Sequence, residues 1–222
     1  AGFQNINVDI MFGIPHQTRE SLGHTLNTVL AYAPEHISAY SLTVEEGTPL
    51  LSLCEKGTEC ATEDLSLMMY ETLTASLINA GYEHYEISNF AKEGRESRHN
   101  LRYWSLKDYI GFGVAAHSLI DGERFGNSRD IDAFLRGEDI VEERSSVSAE
   151  ERVREYVMLG LRLERGISAD EYRAISGREM QDDMPNMRKF IDAGFLLEKN
   201  GRICFSDKGF FVSNAILSEL LY

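Results

Sequence analysis

A chain of 222 residues with 43% apolar side chains is long enough for one large or two small cores. Its formal net charge of −14 argues against a nucleic-acid or anionic-membrane partner, because phosphate contacts need Lys and Arg. No signal-peptide pattern opens the chain, and no apolar run approaches about 20 residues, so no stable membrane insertion is expected. The three cysteines, Cys54, Cys60 and Cys204, lack zinc or iron–sulfur spacing. An odd number without a secretory signal fits a reducing compartment, and a cytoplasmic location is expected. A strand pattern begins almost at once with no Met ahead of Ala1, which points to a piece of a longer chain.

Asn5 to Phe12 predicts a strand, with Ile6, Val8 and Ile10 on one face and Asn5, Asn7, Asp9 and Met11 on the other. Gly13, Pro15 and Thr18 mark a turn and a helix cap. Leu22, Leu26, Val29 and Leu30 then form the stripe of a helix that Pro34 closes. A second strand is predicted from His36 to Thr43, so the three elements make a βαβ unit with parallel strands. A polar face is unusual on a parallel strand. It is explained if Asn7 and Asp9 point into a ligand-bearing barrel interior; an edge strand with one wet face is the competing reading.

Val44 to Leu50 reads as a loop with a turn at Gly47 to Pro49, and Glu63 to Ala80 as an amphipathic helix. Its Met68 and Met69 fit core filler better than ligands. Gly81 to Ile120 is the least core-like stretch. It holds His84, His99 and His117, the single tryptophan Trp104, and Gly111-Phe112-Gly113. Tyr82 to Ile87 predicts a strand with polar groups on both faces, and buried polar groups need partners. Gly122 predicts a hairpin tip, and Arg124 to Gly137 a strand end with a short helix. Glu138 to Ser148 reads as an acidic connector and a domain boundary, which divides the chain into residues 1–145 and 146–222.

From Ala149 the pattern predicts a long helix to about Gly166, then helices over Ile167 to Ser176 and Asn186 to Ala193. Leu196 to Ser206 predicts a hairpin turning at Asn200-Gly201, followed by a last helix from Lys208. Three helices and a β-wing describe a winged-helix-like module. From Ser148 onward there are 11 Lys/Arg against 13 Asp/Glu, with no basic stripe for DNA.

Three motifs, Glu86 to Ala91 (EISNFA), Arg98 to Trp104 (RHNLRYW) and Gly111 to Ser118 (GFGVAAHS), resemble the oxygen-independent coproporphyrinogen III oxidase-like family of radical S-adenosylmethionine (SAM) proteins. Within it they resemble the haem-chaperone branch. The decarboxylating oxidases typically read Met-Asp-His-Phe-Ala where this chain has Ile87-Ser88-Asn89-Phe90-Ala91, which argues against the oxidase.

The resemblance implies an α/β fold: the C-terminal part of an open (β/α) radical SAM barrel, then the winged-helix-like domain packed beside it. It implies SAM contacts at Asp9, in the Asp9 to Thr18 run (DIMFGIPHQT), and at Thr43, with His117 lining the same cavity. His99, Asn100, Tyr103 and Trp104 match the branch's His-Asn-x-x-Tyr-Trp motif and are the expected haem site, His99 being the candidate iron ligand. The implied cofactors are SAM, haem and a [4Fe–4S] cluster. The family's Cys-x3-Cys-x2-Cys ligands are absent here, so this piece alone is expected to be inactive.

The implied partners are haem or porphyrin and haem-acceptor proteins. The competing functions are anaerobic coproporphyrinogen III decarboxylation and a winged-helix regulatory or scaffold module.

Overall fold

The computed structural model describes residues 2–221, and the chain divides into two compact units, Ala1–Glu96 and Ser97–Tyr222. The expected boundary at 145/146 falls inside the second unit.

The first unit is built on a four-stranded mixed sheet. β1 (Asn7–Phe12) and β2 (His36–Ser41) are parallel and joined by α1 (Arg19–Ala31). The predicted βαβ unit is therefore present. Thr18 starts α1 through a reciprocal box with Ser21, satisfying donors that helix geometry leaves over.

Three features of this unit depart from the sequence reading. Leucines after Thr48 form a short helix, α2 (Pro49–Glu55), because Thr48 caps it and Pro49 opens it. Next comes α3 (Glu63–Asn79), as predicted. The strand expected at 82–87 is present, but as the first arm of a hairpin that the sequence reading did not foresee. β3 (Glu83–Glu86) turns at Ile87-Ser88 into β4 (Asn89–Ala91), which inserts antiparallel between β2 and β3. The third departure concerns sulfur. Cys54 and Cys60 form a disulfide, because the turn after α2 brings their Cα atoms to 6.2 Å. The cysteine count alone carried no sign of this pairing.

One sheet face carries Ile10, Phe12, Ile37 and Phe90, all buried, and forms the core with Leu22 and Leu26 of α1 and Leu73 and Leu77 of α3. Each such side chain contributes about 2 kcal/mol. The other face of β1 presents Asn7, Asp9 and Met11, all exposed.

The second unit opens with α4 (Arg98–Trp104), so the RHNLRYW motif is helical, capped by Ser97. β5 (His117–Ile120) and β6 (Glu123–Asn127) form a hairpin whose turn residues Asp121 and Gly122 both have positive φ, the twist a two-residue turn requires. α5 (Ile131–Leu135) follows. The expected acidic connector contains a third strand, β7 (Val141–Ser146), paired with β6. All its side chains are exposed, so it is a charged sheet edge with no apolar alternation to betray it.

α6 (Ala149–Gly160) ends a turn and a half before the predicted Gly166. Leu161 and Leu163 are buried, but in the irregular segment after the helix. β8 (Ile167–Ser168), α7 (Ala169–Ser176), α8 (Met180–Asp183) and α9 (Met187–Asp192) lead to the hairpin β9 (Leu196–Lys199) and β10 (Arg202–Phe205), turning at Asn200-Gly201 as predicted. The last helix is two, α10 (Asp207–Phe211) and α11 (Ser213–Leu221). The chain is thus mixed α/β, with no closed barrel among the described residues.

Candidate functional site

The polar face of the first unit's sheet is a hydrogen-bonded row. Parallel register sets Asn7 beside His36 and Asp9 beside Ser38. The Asn7 Nδ2 amide donates to Asp9 Oδ1 at 2.6 Å. Asn7 Oδ1 accepts from Ser38 Oγ at 3.2 Å and faces His36 Nδ1 at 2.7 Å. The other imidazole nitrogen, Nε2, meets the Tyr85 hydroxyl at 2.7 Å.

Burial pushes the His36 pKa below its ordinary value, against the raising pull of Asp9 and Glu96. Asp9 itself is exposed, leaving a carboxylate oxygen to accept a hydrogen bond from a hydroxyl or amine. Next along the sheet, Asn89 is buried beside Ser38, its Oδ1 without a hydrogen-bond partner among the described residues. Thr43 lies exposed in the loop after β2. These features suit a polar, cationic ligand such as SAM.

Of the residues named from the sequence, Asp9 and Thr43 thus belong to the first unit; the others belong to the second. There His99 is exposed on α4, and Tyr103, one turn on, stands edge-to-face with it at 4.9 Å. Tyr109 continues the row at 4.5 Å from Tyr103. The Asn100 amide N–H donates to Ser97 Oγ, capping the helix.

Trp104 leaves this face. It is half-buried, with the Arg162 guanidinium 5.8 Å from its ring, since five residues along a helix point away from residue one. Its indole N–H has no hydrogen-bond partner among the described residues. His117 is exposed on β5, its ring lying over Gly126, where a Cβ would come within 3.0 Å. At Gly111 the chain itself makes a close approach, since a Cβ there would clash with the His117 carbonyl.

Among the described residues no group of three or more His, Cys, Asp or Glu could hold a metal ion. Cys54 and Cys60 are bridged, and burial raises the pKa of Cys204. The cysteines present therefore do not fit a [4Fe–4S] cluster, which needs thiolates.

Residues 147–212 match a family model, the HemN C-terminal domain. Over 99% of its length the chain is 34% identical to the haem chaperone HemW of Bacillus subtilis, covering 60% of that protein. It is 29% identical to HemW of Lactococcus lactis over 100% of its length, covering 59% of that relative. The motif resemblance is borne out.

The chain spans about three-fifths of the length of the HemW relatives it matches. Its fold matches a solved structure described as "Coproporphyrinogen III oxidase (HemN) from Escherichia coli is a Radical SAM enzyme", with a TM-score of 0.76 at 17% identity, over 99% of this chain and 55% of that one. No helix among the described residues is long and apolar enough to cross a membrane.

Sequence reasoning missed His36, Tyr85 and Tyr109. A readable signal existed for the first: parallel pairing of the two predicted strands sets His36 next to the polar Asn7. Tyr85 and Tyr109 join their neighbours through folding alone.

Proposed function

We propose that the intact protein is a haem chaperone that binds haem through α4, holds SAM against Asp9 and Thr43, and hands haem to acceptor proteins in the cytoplasm. The observation that carries this reading is the exposed His99 imidazole beside Tyr103, which in turn stands beside Tyr109, on a chain similar over nearly its whole length to proteins named haem chaperones. An imidazole is a common axial ligand of haem iron, and adjacent tyrosine rings offer flat apolar contact. Arg98 and Arg102, on the same short helix, supply positive charge for propionates. Asn100 and Trp104 complete the motif, one through the helix cap and one behind it. SAM would supply methyl or radical chemistry when bound. Within this chain Asp9 and Asn7 would orient it.

The DNA-binding alternative is disfavoured by charge pairing. On α9, Arg188 bonds Asp192 and Glu198, and Lys189 bonds Glu219, so this helix presents neutralised cations. The decarboxylating oxidase lacks a specific observation in its favour here.

The test uses haem titration of the intact protein, read by the haem absorption band and by tryptophan fluorescence. The His99→Ala variant should shift the band and weaken binding about tenfold or more, the loss of a metal–ligand bond. Unchanged spectrum and affinity would place the iron elsewhere.

A further inference from the structure

We propose that His36 is a positioning residue for Asp9, acting through the Asn7 side chain, which it locks with the amide nitrogen facing the Asp9 carboxylate. The inference rests on the reading that Asp9 receives SAM.

The argument begins with what Asn7 could do without its neighbours. Its amide has two orientations related by a flip, one presenting NH2 to Asp9 and the other presenting oxygen. The second would set two acceptors face to face. In the structure Asn7 Oδ1 is met by two groups on β2, Ser38 Oγ at 3.2 Å and His36 Nδ1 at 2.7 Å, while Nδ2 lies 2.6 Å from Asp9 Oδ1. An amide oxygen only accepts, so this arrangement requires the His36 proton on Nδ1. Tyr85 selects that tautomer from the far side. Its hydroxyl, 2.7 Å from Nε2, donates to an unprotonated nitrogen.

The proton order therefore runs Tyr85 to His36 to Asn7 to Asp9. Its result is an Asp9 carboxylate whose Oδ1 is occupied by the Asn7 amide two residues back on β1. The other oxygen is presented to a ligand donor, and its rotamer is set before the ligand arrives, which lowers the ordering cost of binding. Parallel register supplies the geometry. Asn7 and His36 are direct neighbours, as are Asp9 and Ser38, so all four side chains stand on one face.

The test measures SAM affinity by calorimetry on the intact protein and reads the His36 tautomer by nitrogen-15 NMR of the histidine rings. Asparagine can place an amide donor close to where Nδ1 stood, whereas glutamine places it near Nε2. The expected pattern is that His36→Phe and His36→Gln weaken SAM binding about fivefold, the scale of one net hydrogen bond, whereas His36→Asn stays within about twofold of wild type. The wild-type ring should show the Nδ1–H tautomer and Tyr85→Phe should shift it towards Nε2–H. Circular dichroism on each variant checks folding, and the wild-type tautomer measurement needs no variant to fold.

A wild-type Nε2–H ring overturns the relay, as do His36→Asn and His36→Phe behaving alike. If Asp9→Ala weakens SAM binding while His36→Phe does not, the relay falls and the SAM reading stands. If Asp9→Ala changes nothing, the SAM reading falls and takes this inference with it.

Discussion

At the residue scale, single polar contacts tie elements together within each unit. Tyr82 is buried, and its hydroxyl donates to the Pro34 carbonyl at 2.6 Å, tying the strand approach after α3 to the chain entering β2. Tyr82→Phe leaves that carbonyl without its partner, so a loss of about 1–2 kcal/mol is expected in urea unfolding of the intact protein.

Glu171 tests the second unit by pH. Arg202 grips its carboxylate with two bonds of 2.8 and 2.9 Å, and the Tyr156 hydroxyl adds a third at 2.7 Å. The Arg202 bond holds the Glu171 pKa at about 2, below its ordinary 4.5. The folded value is depressed, so this stabilisation is complete above pH 4.5 and disappears as pH falls through about 2. Because Glu171 remains 45% exposed, solvent screening limits the effect to about 1 kcal/mol or less. The Glu171→Gln protein should be less stable near neutrality and should lose less stability than wild type across that acid window. Parallel acid titrations of the two proteins check this.

At the element scale, a close backbone approach marks the segment that follows α6. The sequence extends α6 to Gly166 on apolar periodicity, yet the helix stops at Gly160. Gly166 has φ +62°, and a Cβ there would lie 1.9 Å from the Ile203 carbonyl on β10. The backbone after α6 therefore presses against the wing. Gly166→Ala combines a disfavoured conformation with a backbone clash, and a destabilisation of about 2 kcal/mol or more is expected, read as a lower unfolding midpoint.

Start signals were more legible than stops. Thr18, Ser148 and Ser168 each accept a backbone hydrogen bond at the head of a helix, and each is visible as a cap before its apolar stripe. α2 and β7 escaped because seven residues are too few for a periodic stripe and an exposed edge strand has none.

At the scale of the whole molecule, the cysteines decide what chemistry this chain supports by itself. One pair is bridged, and Cys204 is buried at 2% exposure with a raised pKa, so neither source supplies a ready thiolate. Anaerobic reconstitution of the 222-residue chain with iron and sulfide should leave no stoichiometric cluster, checked by iron content and by the charge-transfer absorption band. A retained cluster would mean that the disulfide opens and that Cys204 becomes accessible.

The sequence by itself determined the βαβ start and the wing at Asn200-Gly201, because strict periodicity and turn residues act over a few residues; it marked the His99 motif without reading it as a helix. It also marked Asp9, since a carboxylate on a strand expected to be apolar stands out without any structure. Tertiary structure alone decided that EISNFA is a hairpin inserted beside β2, that Cys54 meets Cys60, and that His36 and Tyr85 join Asn7 and Asp9. Each of these depends on contacts or directions set by packing. A strand's neighbours are fixed by which apolar faces can be buried together, and a side chain's hydrogen-bond partner is fixed only once those neighbours are in place.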